Sequence, residues 1–245
     1  MSLFGKEIIH LSEVDSTNNF AAILLSNRIC QSGTAIMADS QTIGRGQRGN
    51  TWLSEAKKNL LVSFVFKPDN LSVENQVHLT WVTSLSIIET LAKFNIKAQV
   101  KWPNDILVSG NKIAGILIEN QILGDKISSS IIGIGLNVNQ HDFDGISATS
   151  ILNESGSETS IKEFFNSLCE SMNHFFFKLN SQQGDFLKFT YQKNLFQKNE
   201  ICLYEDNNSQ FQGEIIGVNE NGLLQIKVNS DLREYGIKEI RYLSK

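Results

Sequence analysis

Residues 39–52 hold the groups best suited to binding a small anion. Within six residues this segment places three glycines and two arginines, namely Gly44, Arg45, Gly46, Arg48 and Gly49. Glycine tolerates a positive φ and lets a ligand approach the main chain, and arginine offers a rigid fork of donors to carboxylate or phosphate. The pattern predicts a loop that folds around an anionic ligand. The competing interpretation is a glycine-rich surface turn with solvated arginines.

Two phosphate-binding motifs are nearly complete in this segment, and neither has the context that it needs. Residues 44–49 match the dinucleotide fingerprint, which requires a helix directly after the glycines, but a β-rich apolar run follows at residues 60–66. Residues 44–51 approach the phosphate-loop motif, yet Asn50 stands where that motif needs a lysine. The loop is therefore predicted to join two strands.

Further polar residues stand at the ends of predicted strands, beside glycine-rich backbone. They include Lys101, Asn104, Lys112 and Asn137. Such residues suit a concave ligand site, and the lysines suit a phosphate or carboxylate. The four histidines are scattered, so no Ser-His-Asp arrangement can be argued. This favours phosphoryl or nucleotidyl chemistry, in which positioning and charge stabilisation dominate and no protein nucleophile is required.

Composition excludes several other classes of protein. The 245 residues include 26 acidic and 22 basic side chains, for a net charge of −4, which gives no electrostatic footprint for nucleic acid. The three cysteines form no C-x-x-C pair, so neither a zinc site nor a disulfide framework is expected, and free thiols fit a reducing cytoplasm. The sequence shows no signal peptide and no apolar run long enough to span a membrane.

The elements that must position these groups alternate between strands and helices. The predicted strands cover residues 7–11, 34–38, 60–66, 98–102, 106–108, 113–118 and 130–138. The predicted helices cover residues 15–26, 72–94 and about 185–194, with another that begins at Ser160. Asp15 or Ser16 is the natural N-cap of the first helix, and Trp81 belongs to the buried stripe of the second. The glycines inside the last strand predict close approach of a ligand or another backbone.

From Glu200 the sequence changes to short β segments separated by polar turns. Asn221 and Gly222 form a strong hairpin-turn signal between two of them. This alternation of short strands and turns predicts a small β-barrel module. We expect two domains, covering residues 1–195 and 196–245.

Five motifs in order resemble those of the biotin–protein ligases. They lie at residues 15–18, 44–52, 101–105, 112–119 and 133–137, and the resemblance extends over nearly the whole chain. It implies an α/β (α+β) catalytic domain of class II synthetase type, with a mixed sheet and packed helices, followed by a small SH3-like β-barrel.

The resemblance also implies a two-step reaction that uses ATP, biotin and Mg²⁺. The biotin carboxylate attacks the α-phosphate of ATP to give biotinyl-5'-adenylate. The biotinyl group then passes to a lysine of a biotin carboxyl carrier protein, or of such a domain in a biotin-dependent carboxylase. A cytoplasmic enzyme with no DNA and no membrane partner is expected.

The motif-matched positions divide into three roles implied by the resemblance. Lys112 and Arg45 are the expected catalytic residues. The expected biotin-binding residues are Ser16, Thr17, Asn18, Gln41, Gly44, Arg45, Gly46, Gln47, Lys112, Gly115, Gly133 and Gly135. The expected ATP-binding residues are Arg48, Trp52, Lys101, Asn104 and Asn137. No ligands for the magnesium ion are assigned.

Two departures from the family pattern matter. Many relatives carry a second arginine where this chain has Gln47, and that arginine helps to retain the adenylate; Arg48 is the alternative supplier of the charge. Some relatives are also repressors with a helix-turn-helix before the catalytic domain. Here the first strand begins near Met1, so a monofunctional ligase that binds no DNA is expected.

Three alternative functions stay open at the level of sequence. A lipoate ligase or octanoyl transferase has a similar fold and an equivalent lysine, although the intact loop and the residues 101–105 argue against it. A non-catalytic biotin-binding module would bind biotin without ATP turnover. A DNA-binding regulator fits least well. Relatives occur as monomers and homodimers, and the sequence does not decide between them.

Overall fold

The computed structural model describes residues 2–181 and 183–243, and its main element is a mixed seven-stranded sheet. The strands are β1 (Ile8–Leu11), β2 (Ala35–Ala38), β3 (Asn59–Phe66), β4 (Gln99–Lys101), β5 (Asp105–Val108), β6 (Asn111–Leu123) and β7 (Lys126–Asn137). They lie in the order β1-β2-β3-β7-β6-β5-β4, and only the β1–β2 pair is parallel among these neighbours. The glycine loop joins β2 to β3, as the sequence predicts.

Helices cover both faces of this sheet. They are α1 (Thr17–Ser26), α2 (Val77–Lys93), α3 (Ile151–Ser155), α4 (Ile161–Asn180) and α5 (Gly184–Lys193). Helix α1 packs on one face above β2, β3 and β7, and α2 and α4 pack on the other. All eight residues of β3 are therefore buried, which explains why this strand reads as one apolar run without alternation.

A second sheet of five antiparallel strands follows. Its strands are β8 (Ile201–Asp206), β9 (Gln210–Val218), β10 (Leu224–Val228), β11 (Asp231–Tyr235) and β12 (Ile240–Tyr242). They lie in the order β11-β10-β9-β8-β12, which fits a small barrel of the SH3 type. Asn221 and Gly222 lie in the turn between β9 and β10, as predicted. The domain boundary after residue 195 stays a prediction.

The sequence missed some elements and misplaced others. It did not predict α3 or β11; β11 has four exposed residues out of five, so it lacks the apolar alternation that marks a strand. Helix α2 begins at Val77 because a short 3₁₀ turn occupies Val73–Asn75. Trp81 is fully buried, as expected.

The N-terminus of α1 also differs from expectation. Ser16 holds the N-cap position, but its side chain makes no capping bond. The side chain of Gln41 replaces it, since its Oε1 accepts the backbone N–H of Thr17 at 2.7 Å. This capping bond joins the beginning of the helix to the beginning of the glycine loop.

No helix among the described residues is long and apolar enough to cross a membrane.

The peptide bond between Trp102 and Pro103 is cis. The indole Nε1 of Trp102 donates to the carbonyl of Gly222 at 3.0 Å, which connects the seven-stranded sheet to the β9–β10 turn.

Candidate active site

A cleft lies between the N-terminus of α1, the glycine loop and strands β6 and β7. Its volume, which includes the part open to solvent, is about 700 Å³. Thirteen of the residues predicted from the sequence line it: Ser16, Thr17, Asn18, Gln41, Arg45, Gly46, Gln47, Trp52, Asn104, Lys112, Gly115, Gly133 and Gly135. The fold thus brings together residues from all five motifs.

The inner end of the cleft is a buried hydrogen-bonded floor, which we define as Thr17, Asn18, Gln41 and Ser63. Ser63 Oγ lies 2.7 Å from Thr17 Oγ1 and 2.6 Å from Asn18 Oδ1. Thr17 Oγ1 in turn donates to Gln41 Oε1 at 3.1 Å. Ser63, Thr17 and Asn18 are each at most 5% exposed, so these contacts form away from bulk water. Such a floor can recognise a ligand that carries hydrogen-bonding groups.

The strand glycines make room for side chains of the protein itself. A Cβ on Gly133 would lie 2.3 Å from Asn18 Oδ1, and one on Gly135 would lie 2.5 Å from the Trp52 ring. Gly115 also faces that ring, at 3.1 Å. The sequence predicted that these glycines admit a ligand. They do line the cleft, but the groups that require the missing Cβ atoms are Asn18 and Trp52.

Trp52 brings an unpaired donor into the cleft. Its Nε1 is buried, and no acceptor in the described part of the chain lies within hydrogen-bond reach of it. Buried donors are rarely left without a partner. An acceptor atom on a bound ligand would satisfy this one.

Lys112 reaches the cleft because β6 contains a bulge. The pairing with β5 runs from Ile106 opposite Ala114 directly to Leu107 opposite Lys112, so Ile113 is one extra residue on β6. In a regular strand Lys112 and Gly115 would point to opposite faces. The bulge turns Lys112 onto the face of Gly115, where a Cβ would lie 3.3 Å from its Nζ.

A carboxylate fixes the Lys112 ammonium in the cleft. Asp105 lies opposite Gly115 across the β5–β6 pair, and its Oδ1 is 2.6 Å from Lys112 Nζ. The same Nζ lies 5.4 Å from the centroid of the Trp52 ring. Asp105 and Trp52 therefore hold the cation above the glycine strands.

Arg45 projects from a small hairpin formed by the glycine loop itself. Residues Arg45 and Thr51 form an antiparallel bridge, and Trp52 N–H donates to Gly44 O at 2.9 Å. The guanidinium donates two hydrogen bonds to the Glu119 carboxylate, from Nη2 to Oε1 at 2.7 Å and from Nη1 to Oε2 at 3.1 Å. Nη1 also donates to Asn19 Oδ1 at 2.8 Å. The loop is thereby held across the cleft.

Asn19 carries this contact on to the N-terminus of α1. Its Nδ2 donates to Asp15 Oδ2 at 2.5 Å, and this bond lowers the pKa of the Asp15 carboxyl. The carboxylate therefore stays ionised next to the first turn of the helix, where a negative charge is favourable.

Comparison with known proteins identifies the family to which these motifs belong. The model of the biotin/lipoate A/B protein ligase family matches residues 11–137, which is more than half of the chain and contains every part of the cleft described above. The chain belongs to this ligase family.

Relatives within the family cover the chain to different extents. A solved biotin protein ligase from Aquifex aeolicus, in complex with biotin and ATP, is 28% identical with a TM-score of 0.81, covering 98% of this chain and 100% of that one. The bifunctional ligase/repressor BirA of Bacillus spizizenii is 36% identical over 143 residues, which is 58% of this chain and 43% of that protein. A biotin–[acetyl-CoA-carboxylase] ligase of Paracoccus denitrificans is 33% identical over 132 residues, covering 52% and 53%. The chain thus spans about half the length of these two curated relatives.

Three predicted residues of the ligase site lie outside the cleft. Asn137 is buried, and its Nδ2 donates to the carbonyls of Thr149 at 2.9 Å and Lys112 at 3.4 Å. Its side-chain amide therefore holds the backbone of these two residues in place. Lys101 points instead into a neighbouring groove, with Nζ 5.1 Å from the ring centroid of Tyr242. Gly44 packs on its own loop, because a Cβ there would lie 2.3 Å from Trp52 O. The structure places these three residues outside the lining of the cleft, and their contact with a ligand stays a prediction. The side chain of Arg48 lies outside the described part of the structure.

Three residues that shape this cleft were given no role at the level of sequence. Asp105 and Glu119 hold the two cations, and Ser63 supports the floor. Asp105 and Glu119 each end a motif that the sequence displays, which was the available signal. Ser63 had none, because it is one polar residue within an apolar strand.

A magnesium ion has limited support from the protein. No group of three or more His, Cys, Asp or Glu side chains that could hold a metal occurs within the described residues. Among the described residues that line the cleft, Asp105 alone carries a carboxylate. Magnesium commonly binds through one or two carboxylates together with substrate phosphates, so Asp105 fits that mode.

Proposed function

We propose that this protein is an ATP-dependent biotin–protein ligase. It activates biotin as biotinyl-5'-adenylate and transfers the biotinyl group to a lysine of a biotin carboxyl carrier protein or domain. The observation that carries this proposal is the convergence of Lys112 and Arg45 over a hydrogen-bonded floor, in a cleft with glycine strands below it. The likeness along its whole length to an Aquifex ligase that binds biotin and ATP supports it.

The floor favours biotin over lipoate as the substrate. The family includes ligases for both, but the two ring systems differ in chemistry: the ureido ring of biotin donates and accepts hydrogen bonds, and the dithiolane of lipoate does not. The side chains of Thr17, Asn18 and Gln41 at the inner end are amides and a hydroxyl. A ureido ring can exchange hydrogen bonds with these side chains, whereas a dithiolane offers them neither donor nor acceptor of comparable strength.

In the first step a biotin carboxylate oxygen attacks the α-phosphorus of ATP. The bond between that phosphorus and the bridging oxygen breaks, and pyrophosphate leaves. Two anions must approach each other, and negative charge grows on the phosphoryl oxygens. The Lys112 ammonium stabilises this charge, and Asp105 and Trp52 fix its position before the ligands arrive.

The other cleft residues align the two substrates for this step. The floor anchors the biotin ring, Arg45 covers its tail and the phosphate from the glycine loop, and Trp52 and Asn104 lie where the nucleotide would bind. Magnesium would be held by the triphosphate with Asp105 as the available carboxylate, and when bound it neutralises phosphate charge.

In the second step the neutral amine of the acceptor lysine attacks the acyl carbon of the adenylate. An amide forms, AMP leaves, and the amine proton passes to solvent. The acceptor is proposed to be the carrier protein or domain of a biotin-dependent carboxylase such as acetyl-CoA carboxylase. We place the reaction in the cytoplasm, where ATP and a folded acceptor meet. The three cysteines of the present protein are buried free thiols, which suits a reducing compartment.

The test is ATP–pyrophosphate exchange with biotin, with lipoate and with neither. Exchange that depends on biotin, followed by biotinylation of an added carrier domain, is the expected result. Exchange with lipoate alone would move the protein to the neighbouring branch of the family. Biotin binding without any exchange would make it a non-catalytic binding module and overturn the proposal.

A further inference from the structure

Among the described residues, the two cations that line the cleft, Arg45 and Lys112, are each paired with a carboxylate of the protein. Lys112 Nζ lies 2.6 Å from Asp105, and Arg45 Nη2 lies 2.7 Å from Glu119. The two pairs differ in placement. Asp105 lines the cleft, whereas Glu119 is not among the residues that line it.

The two pairs also lie at different positions along β6, which carries Lys112 and Glu119. Lys112 Nζ is near Gly115, and Glu119 follows four residues later on β6, which corresponds to about 13 Å at the rise of a β-strand. In this arrangement the Arg45 guanidinium is engaged by Glu119 and not by a ligand anion near Lys112. A ligand phosphate near Lys112 and the Glu119 carboxylate therefore compete for one guanidinium fork.

Glu119 is connected to the floor as well as to the loop. Its Oε2 accepts from Asn18 Nδ2 at 2.8 Å, and Asn18 also contacts Ser63. One carboxylate thus joins a buried floor residue to the arginine of the glycine loop. It is 35% exposed and can exchange partners with little loss of solvation.

We propose that Glu119 is a positioning residue that holds Arg45 in reserve: its carboxylate keeps the glycine loop closed over the cleft and releases Arg45 only to a competing ligand anion. This inference rests on the proposed function for the identity of that anion, which is the phosphate of an acyl-adenylate. The ion pair between Arg45 and Glu119 is observed in the structure whatever reaction the cleft carries out. Loss of the Glu119 charge should let Arg45 bind the ligand phosphate more tightly and should loosen the loop when no ligand is bound.

The first experiment is a double-mutant cycle on ligand release. Purified biotinyl-adenylate is added to the wild type, to Glu119→Gln, to Arg45→Met and to the double variant, and its dissociation is timed with excess unlabelled adenylate. Glutamine keeps the acceptor for Asn18 and removes only the charge. Release from Glu119→Gln should be about twofold to fivefold slower than from the wild type, the range expected for an exposed ion pair. In the Arg45→Met background Glu119→Gln should change nothing.

Two outcomes of that cycle would overturn the proposal. One is release from Glu119→Gln that is unchanged or faster. The other is the same change in both backgrounds, because a merely structural role of Glu119 would act without Arg45. Glu170→Gln is the matched control: it breaks an ion pair with Lys93 on the far helices, and its release rate should equal that of the wild type.

The second experiment requires no ligand and no activity. Hydrogen exchange of the amides of residues 44–52 in the free protein should be about twofold to fivefold faster in Glu119→Gln than in the wild type or Glu170→Gln. Equal exchange would show that Glu119 does not hold the loop and would sink the proposal. If the wild type binds no adenylate, the proposed function fails, and the exchange rates alone then decide whether Glu119 restrains Arg45.

Discussion

The floor and the rim of the cleft are built by opposite physical means. On the floor, Thr17, Asn18 and Ser63 are at most 5% exposed and are joined by hydrogen bonds. On the rim, Lys112 and Arg45 are 34% and 39% exposed and are joined to carboxylates by ion pairs. One end of a ligand would therefore contact neutral groups that are shielded from water. Its other end would contact charged groups that are partly exposed to solvent.

This difference separates stability from catalysis. An unpaired polar group on the floor carries its full desolvation cost, so changes there should unfold the protein as well as weaken binding. Ion pairs on the rim are screened by water and contribute little to folding, so they are free to change partners when an anion enters. Floor variants should thus lower the free energy of unfolding, and rim variants should alter rates.

The largest expected effect comes from a residue of the rim, whose loss should lower activity without lowering stability. Lys112→Met should lower biotin-dependent ATP–pyrophosphate exchange about 10²- to 10³-fold, because it removes a preorganised charge from the reacting anions. The free energy of unfolding in urea should change by less than about 1 kcal/mol. Lys93→Met, which removes a lysine of similar exposure (40%) from a helix, is the control and should retain full exchange.

A variant of Gly133 tests the floor. Gly133→Ala places a Cβ 2.3 Å from Asn18 Oδ1, so Asn18 and the beginning of α1 must shift. Overpacking of this kind costs about 1–3 kcal/mol, and biotin affinity should fall with it. Urea denaturation and biotin titration measure the two effects. The control Gly184→Ala meets only the side chain of His78, at 3.3 Å, and should stay within about 0.5 kcal/mol of the wild type. Wild-type stability for Gly133→Ala would contradict the close packing of the floor.

Local features of the fold were predictable from the sequence, and long-range pairings were not. The glycine density and the following β-rich run correctly predicted a loop between two strands. The same reasoning predicted that something approaches Gly133 closely, but not that it is Asn18, since only the packing of α1 on the sheet brings them together. The contact between Arg45 and Glu119 joins residues 74 positions apart, and no local pattern encodes it.

The bulge in β6 shows a second limit of sequence reasoning. The motif at residues 112–119 carries both Lys112 and Gly115, which lie three positions apart and would face opposite ways in a regular strand. Only the extra residue at Ile113 places them on one face. Strand periodicity alone would have directed Lys112 away from the cleft. The resemblance to the ligase family pointed to Lys112, and the pairing register explains how it gets there.

A smaller effect is expected from the hydroxyl that supports the floor. Ser63→Ala removes the group within 2.7 Å of Thr17 Oγ1 and 2.6 Å of Asn18 Oδ1, and should cost about 1 kcal/mol of unfolding free energy. The loss should be the same at low and high salt, because no charge is involved. Ser26→Ala, which removes an exposed hydroxyl from the end of α1, should cost less than about 0.5 kcal/mol. A strong salt dependence for Ser63→Ala would show that floor and rim are not physically distinct.

The smallest expected effect comes from adding a charge to the rim at Gln47. Gln47 is partly exposed and lines the cleft. Gln47→Arg adds a rim cation near the ligand phosphate and should slow the escape of biotinyl-adenylate into a trap about twofold to fivefold, with stability unchanged. The slowing should fade at high salt, as exposed charges are screened. Gln212→Arg adds the same charge on the second sheet and should leave the escape rate alone. Equal escape rates for the wild type and Gln47→Arg would mean that rim charge does not govern retention, and that the floor and the closed loop hold the adenylate instead.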